Sequence, residues 1–155
     1  MPFRSLPLTR IALGIALLLA SGLLCAQESA APVPKGVHGC TTDAHTLCLD
    51  QGRFAVTVTF QQTPTGFSQD AHAVQITDQT GNFWFFDPSN VEVVVKILNG
   101  CDGFDSFWFF AAGLTNLGVN IEVRDLVAGA TRNYSSPFGT PFQPIQDTSA
   151  FRTCS

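Results

Sequence analysis

The middle of the chain alternates between apolar and polar positions with a period of two. Phe54, Val56, Val58 and Phe60 fall on one side of the clearest such segment, and threonines separate them at 57 and 59. Successive side chains of a β-strand point to opposite faces, so this alternation is the pattern of a strand with one buried face. We therefore predict a strand over 53–61.

Seven further segments between turn residues show alternation or are rich in aromatic and β-branched residues: 71–77, 82–86, 91–98, 104–112, 118–126, 131–135 and 148–153. Segment 91–98 is apolar on both faces, which is typical of a strand in the centre of a sheet. After position 26 no segment has the capping signals of a helix. The pattern predicts an all-β protein, specifically an antiparallel immunoglobulin-like β-sandwich of seven or eight strands.

The tetrapeptide Phe-Trp-Phe-Phe occurs twice, at Phe83–Phe86 and at Phe107–Phe110. Each copy lies between turn residues and is predicted to belong to a strand, with aromatic side chains on both faces. One face must fill the core. We favour a packing that covers the second face too, with Trp108 as a core anchor. The alternative is an exposed platform containing Trp84 and Trp108, which would stack on sugar rings or bind a protein.

The first 26 residues have the pattern of a secretory signal peptide. Arg4 and Arg10 precede an apolar run over Ile11–Leu24, and the small residues Cys25 and Ala26 follow it. This run is shorter than the ~20 residues that span a bilayer. We therefore predict cleavage after Ala26 rather than a membrane anchor, with a lipoprotein acylated at Cys25 as the alternative.

Cleavage would release a protein to the periplasm or the cell exterior, with no membrane insertion. We predict a flexible Pro/Ala-rich tail over 27–39 and a single domain over 40–155. Removing two of the eight basic residues leaves six against twelve acidic residues. A domain this acidic lacks the electrostatic footprint of a nucleic-acid-binding protein.

Four cysteines remain after the predicted cleavage: Cys40, Cys48, Cys101 and Cys154. An even number of cysteines in an exported chain indicates disulfides. Of the three possible connectivities we favour Cys40–Cys48, which closes a local loop, and Cys101–Cys154, which ties a turn to the C-terminal end. A zinc site is the rival interpretation, but it would need a closely spaced cysteine pair that the chain lacks.

Sequence motifs of catalysis are absent. The chain contains no Gly-x-Ser-x-Gly, no His-Glu-x-x-His and no Gly-rich phosphate loop. We predict no enzymatic activity, no cofactor and no metal, and a hydrolase with an unrecognised site is the enzymatic alternative. Asn99, Asp102 and Asp105 in one loop are weak calcium candidates, since Ca²⁺ prefers oxygen ligands, but such residues are also common turn formers.

Arg53, Glu92 and Lys96 are charged residues within otherwise apolar predicted strands. Glu92 and Lys96 are four positions apart and are expected on the same face, and Arg53 is a candidate partner for Glu92. An unpaired buried charge is costly. We therefore interpret these residues as a structural ion pair between neighbouring strands, with a recognition site as the alternative.

Five blocks, in order, resemble an uncharacterised family of bacterial secreted β-domains: Leu47–Leu49 with Gly52–Phe54, Gly81–Phe86, Asn90–Glu92 with Val95-Lys96 and Gly100-Cys101, Phe107-Trp108, and Asp147–Phe151. The resemblance covers about Cys40 to Cys154 and departs at Val119–Val123, a stretch that is usually richer in Tyr and Thr. It implies export and a β fold but supplies no activity. We therefore expect a non-catalytic structural, adhesive or protein-binding module whose partner is an extracellular protein or a polysaccharide. The alternative is a carbohydrate-binding module that uses exposed aromatic residues.

Overall fold

The computed structural model describes residues 38–154. The predicted signal peptide over 1–26 and nearly all of the predicted tail over 27–39 lie outside the described residues. The described part contains ten strands and one short helix: β1 (Thr46–Leu49), β2 (Phe54–Gln61), β3 (Gln69–Asp70), β4 (His72–Gln75), β5 (Thr80–Trp84), β6 (Val91–Asn99), α1 (Cys101–Phe104), β7 (Phe107–Gly113), β8 (Gly118–Asp125), β9 (Ala130–Ser136) and β10 (Ile145–Phe151).

The strands form two antiparallel sheets of five strands each. The first sheet has the order β1-β2-β8-β9, with β3 paired over two residues to the same edge of β2 as β1, and the second has the order β10-β7-β6-β5-β4. This confirms the predicted all-β antiparallel sandwich, and β6 is the central strand of its sheet as expected. The strand count exceeds seven or eight because β1 and β3 are short segments that lack a clear alternation.

Phenylalanine fills the space between the sheets. Phe54 of the first sheet lies 5.0 Å from Phe107 of the second, measured between ring centres, and Phe60 stacks on Phe85 at 4.2 Å. Burying one such side chain contributes about 1.5–3 kcal/mol to folding. The fully buried phenylalanines dominate the core: Phe54, Phe60, Phe83, Phe107, Phe109 and Phe151.

Both predicted disulfides are present, Cys40–Cys48 and Cys101–Cys154. The second joins α1 to the segment that follows β10, two parts of the chain 53 positions apart. Disulfides persist in oxidising compartments, so this pair indicates an extracytoplasmic environment. Within residues 38–154, no helix has the length and apolar character to cross a bilayer.

The connection between β6 and β7 is a single helical turn. The sequence predicts an irregular tight connection here and a strand that begins at residue 104, whereas α1 covers Cys101–Phe104 and β7 begins at Phe107. Asp105 ends α1 in the left-handed conformation, with φ of 49°. The disulfide at Cys101 anchors this turn to the C-terminal segment, and the turn itself lies beside the outer side of the second sheet.

Candidate functional site

The two aromatic tetrads direct alternate side chains to opposite sides of the second sheet. Phe83 and Phe85 of the first copy and Phe107 and Phe109 of the second are buried. Trp84 and Trp108 point away from this core and are only partly buried. The prediction of Trp108 as a core anchor is therefore wrong, because its two phenylalanine neighbours on β7 occupy the core and strand alternation places Trp108 on the other side.

The solvent-facing side of the second sheet, called the outer face below, is crossed by rows of aligned side chains. Residues paired across neighbouring strands share a face, so the register defines these rows. Val74 and Val94 in one row remain 41% and 37% exposed. Three of these rows are Leu98 and Trp108; Thr80, Lys96, Phe110 and Gln146; and Val74, Asn82, Val94 and Ala112; a fourth row joins His72 and Trp84.

Each tryptophan on the outer face is supported by a neighbouring ring. Trp84 stacks on His72 with 3.8 Å between ring centres and 11° between planes. Trp108 packs edge-on against Phe104 of α1 at 4.7 Å. Neither tryptophan therefore stands as an isolated ring with both faces free. Both candidate platform residues, Trp84 and Trp108, are instead held in place by a neighbouring ring.

The indole nitrogen of Trp108 is buried and has no hydrogen-bond partner within residues 38–154. Gly100 makes this position possible, because a Cβ at residue 100 would lie only 2.8 Å from that nitrogen. Phe104, which is 69% exposed, covers the indole from the solvent side. Phe104 of α1 is therefore one of the residues that contact the partly buried Trp108.

A shallow groove of about 320 Å³ runs along the outer face between β6, β7 and β10. Phe110, Val94 and Ile145 give it apolar walls, and Lys96 lies on its border. The Lys96 ammonium nitrogen is 5.6 Å from the centre of the Phe110 ring, within range of a cation–π contact. The groove thus combines a mostly apolar lining with one positive charge.

The predicted partnership of Arg53 with Glu92 is wrong, because Arg53 binds Asp125. The Arg53 Nη2 atom lies 2.8 Å from Asp125 Oδ2 and the Nε atom lies 3.1 Å from Oδ1, a bidentate pair. Nη2 also donates to the carbonyl oxygen of Thr153 at 2.7 Å. Arg53 precedes β2 in the first sheet and Glu92 belongs to β6 in the second, which separates them.

This Arg53 network ties the C-terminal segment to the first sheet. The Thr153 hydroxyl donates to Asp125 Oδ2 at 2.6 Å, and the Arg53 guanidinium lies over the Phe107 ring at 4.2 Å. Burial alone would raise the pKa of Asp125, but hydrogen bonds from Arg53, Thr153 and the Ala128 amide outweigh it and hold the pKa below its usual value. The network is structural, next to the Cys101–Cys154 disulfide.

Glu92 and Lys96 do not lie in the same environment although four positions separate them. Along β5 and β6, Phe83 pairs with Val93 but the next residue, Trp84, pairs with Val91. Glu92 is therefore the extra residue of a β-bulge, and bulges change the direction of a side chain. Lys96 is exposed on the outer face, whereas Glu92 is only 8% exposed and accepts a hydrogen bond from Asn90 at 2.6 Å.

The candidate calcium loop has local structural roles. Asn99 Oδ1 accepts a hydrogen bond from the Cys101 amide at 2.9 Å, which orients the start of α1. Asp102 lies in the first turn of α1 and Asp105 ends it. Within the described residues no three His, Cys, Asp or Glu side chains are grouped as metal ligands. Asn99 and Asp105 thus take part in forming the turn.

Sequence reasoning missed a histidine pair at the edge of the outer face. His45 lies 4.9 Å from His72 between ring centres, and its Nδ1 atom is 2.9 Å from the carbonyl oxygen of Ala71. His72 in turn stacks on Trp84. The sequence offered one signal, the position of His72 in a weakly predicted strand. The pairing of His72 with Trp84 across β4 and β5 could not be read from the sequence.

The fold and these surfaces define the chain as a disulfide-linked, two-sheet β-sandwich with an aromatic outer face. Comparison with protein-family models, with curated proteins and with solved structures gives no match.

Proposed function

We propose that this protein is an exported, non-catalytic binding module that recognises another protein through the outer face of its second sheet. The single observation that carries the proposal is the group of partly exposed apolar side chains on the outer face of β6 and β7, which Val74 on β4 and Trp84 on β5 extend; polar residues such as Asn82 and Lys96 lie among them. Contiguous exposed apolar surface on a folded domain is typical of a binding site.

The composition of the outer face matches that of protein interfaces. Tryptophan is enriched among the residues that dominate binding energy, and a side chain held by its neighbours loses little entropy on binding. Trp84 and Trp108 are held in this way by His72 and Phe104. Lys96 is the exposed cation within the three rows, so we expect a partner surface with an acidic side chain among apolar ones.

Export supports the same proposal. The signal-peptide pattern over 1–26 and the two disulfides both suit a protein released to the periplasm or the cell exterior. The resemblance to bacterial secreted β-domains is in line with such a role and assigns no other activity. The partner is therefore sought among extracytoplasmic proteins.

Peptides selected from a random phage-displayed library against the folded protein test the proposal. We expect enrichment of peptides that place Asp or Glu between apolar residues, and at least about tenfold weaker binding to Lys96→Glu and to Val94→Glu. Arg124→Glu is the matched control, because Arg124 is a half-exposed cation on the other sheet. Selected peptides that bind all variants equally would refute the assignment of this face.

The alternative is a carbohydrate-binding module, favoured by one observation, the position of both tryptophans on the solvent side of the sheet. Sugar rings stack on aromatic faces, so Trp84→Ala would abolish binding to a glycan array while Lys96→Glu would leave it unchanged. Peptide binding is expected to be weakened by Lys96→Glu, since it depends on the charge of Lys96, so the response to this variant differs between the two functions. The same set of variants therefore separates the two functions.

A further inference from the structure

A second concave site lies at one end of the sandwich, beyond the outer-face row that contains Val94 and Ala112. It has a volume of about 580 Å³ and is open to solvent. Its lining comes from the segment after β5, from β6, from the loop between β7 and β8 and from the segment before β10. The side chains that matter here are Phe86, Glu92, Leu114, Asn116 and Phe142.

The walls of this site are held together by the backbone. The Phe142 amide donates to the carbonyl oxygen of Thr115 at 3.0 Å, and the Gly139 amide donates to that of Asn116 at 2.7 Å. Phe142 also packs so closely on Gly113 that a Cβ at residue 113 would lie 2.5 Å from its ring. These contacts fix the loop between β7 and β8 against the segment before β10, so the site is formed before any ligand binds.

Glu92 is the charged group of this site. The bulge at Glu92 places its side chain among the lining residues, and only 8% of the residue is exposed. Asn90 donates to Oε1 at 2.6 Å, and Oε2 has no hydrogen-bond donor within residues 38–154. Within residues 38–154 the ion pairs are Arg53–Asp125 and Arg124–Glu122, so Glu92 has no cationic partner among the described residues.

A carboxylate that is only 8% exposed, lines an open site and has no cationic partner within the described residues is suited to attract a cation that enters the site. The rim around it is apolar, with Leu114 82% exposed and Phe86 56% exposed. An ammonium group would pair with the carboxylate, its apolar stem would lie against Leu114, and the Phe86 ring would attract the cation. We propose that this site binds a primary ammonium group carried on an apolar stem.

Such a group occurs on the lysine side chain of a polypeptide and on free alkylamines, and two probes distinguish these sources. The first is n-butylammonium and the second is a terminally blocked Gly-Lys-Gly peptide. Each is titrated into the isotope-labelled protein, and the amide resonances of Leu114, Thr115 and Asn116 are followed by NMR. Saturable shifts with the peptide at lower concentration than with butylammonium assign the site to lysine side chains, and the opposite order assigns it to free amines.

The charge dependence is tested with 1-butanol and with Glu92→Gln, which retains an acceptor for Asn90. We expect at least about tenfold weaker binding in both cases, because a hydrogen bond to a charged group is replaced by a neutral one. Leu114→Lys places a competing cation at a rim position that is 82% exposed and should weaken butylammonium binding similarly. Equal binding of butanol and butylammonium, or no saturable shift with either probe, would overturn the proposal.

This site is independent of the function proposed for the outer face. Lys96→Glu should leave butylammonium binding unchanged, and Glu92→Gln should leave binding of the selected acidic peptides unchanged. A negative result for peptide binding at the outer face therefore leaves the ammonium site to be tested separately, and a negative result for ammonium binding leaves the outer face to be tested separately.

Discussion

Replacement of Asp125 by Asn is expected to destabilise the domain more than any surface charge substitution. Arg53 is 8% exposed and Asp125 is 1% exposed, and two hydrogen bonds of 2.8 and 3.1 Å join them. The substitution removes the counter-charge of a buried guanidinium and directs an amide NH₂ group toward it. Breaking a buried pair in this way costs about 3–5 kcal/mol, a large fraction of the roughly 5–15 kcal/mol typical of a whole domain.

The assay is urea unfolding of the oxidised protein at neutral pH, with Glu122→Gln as the matched control. Glu122 pairs with Arg124 at 3.4 Å, but both side chains are about half exposed. Such a pair is worth less than about 1 kcal/mol. A double-mutant cycle of Asp125→Asn with Arg53→Met should give a coupling energy above ~1.5 kcal/mol. Additive effects, or a loss below ~1 kcal/mol for Asp125→Asn, would refute the reasoning.

Three further outcomes are expected. Thiol titration of the denatured, unreduced protein should give close to zero free thiols in the domain, and two or more would contradict the disulfide pairs. Phe109→Ala should lower the free energy of unfolding in urea by about 3–5 kcal/mol. Trp108→Ala should lower it clearly less, since Trp108 is only partly buried. Equal losses would indicate that Trp108 is a core residue after all. The pKa of Asp125 is lower in the folded state, so its carboxylate contributes to stability above the unfolded pKa of about 3.9. This contribution is lost as pH falls through the folded pKa. Unfolding monitored from pH 5 downward should therefore lose stability faster in the wild type than in Asp125→Asn, and identical slopes would contradict this.

Strand positions and disulfides were accessible from the sequence because both depend on local or countable features. Strand β2 shows strict alternation from Phe54 to Phe60, and its observed bounds agree with the prediction to within one residue. Four cysteines without metal spacing leave few arrangements, and the favoured one is present. The direction of the aromatic tetrads was not accessible, because Phe-Trp-Phe-Phe is apolar on both faces and only packing decides which face is buried.

The partner of Arg53 was present in the sequence as a weaker signal. Val119, Ile121 and Val123 form the buried face of β8, and Asp125 continues that face. A carboxylate on a buried face needs a cation, and Arg53 lies just before the other strongly alternating strand. The register that pairs Phe54 with Asp125 brings the two together, but register between distant strands could not be read from the sequence.

The bulge at Glu92 explains why charge spacing on β6 was misleading. In a regular strand Glu92 and Lys96 would share a face, and a structural ion pair would be the natural interpretation. One extra residue on β6 opposite Phe83 and Trp84 separates them. The cation then remains on the aromatic outer face, and the carboxylate enters the end site beside Phe142. One local irregularity thus gives a single central strand two charged positions with different surroundings, and each is the charged group of one of the two proposed sites.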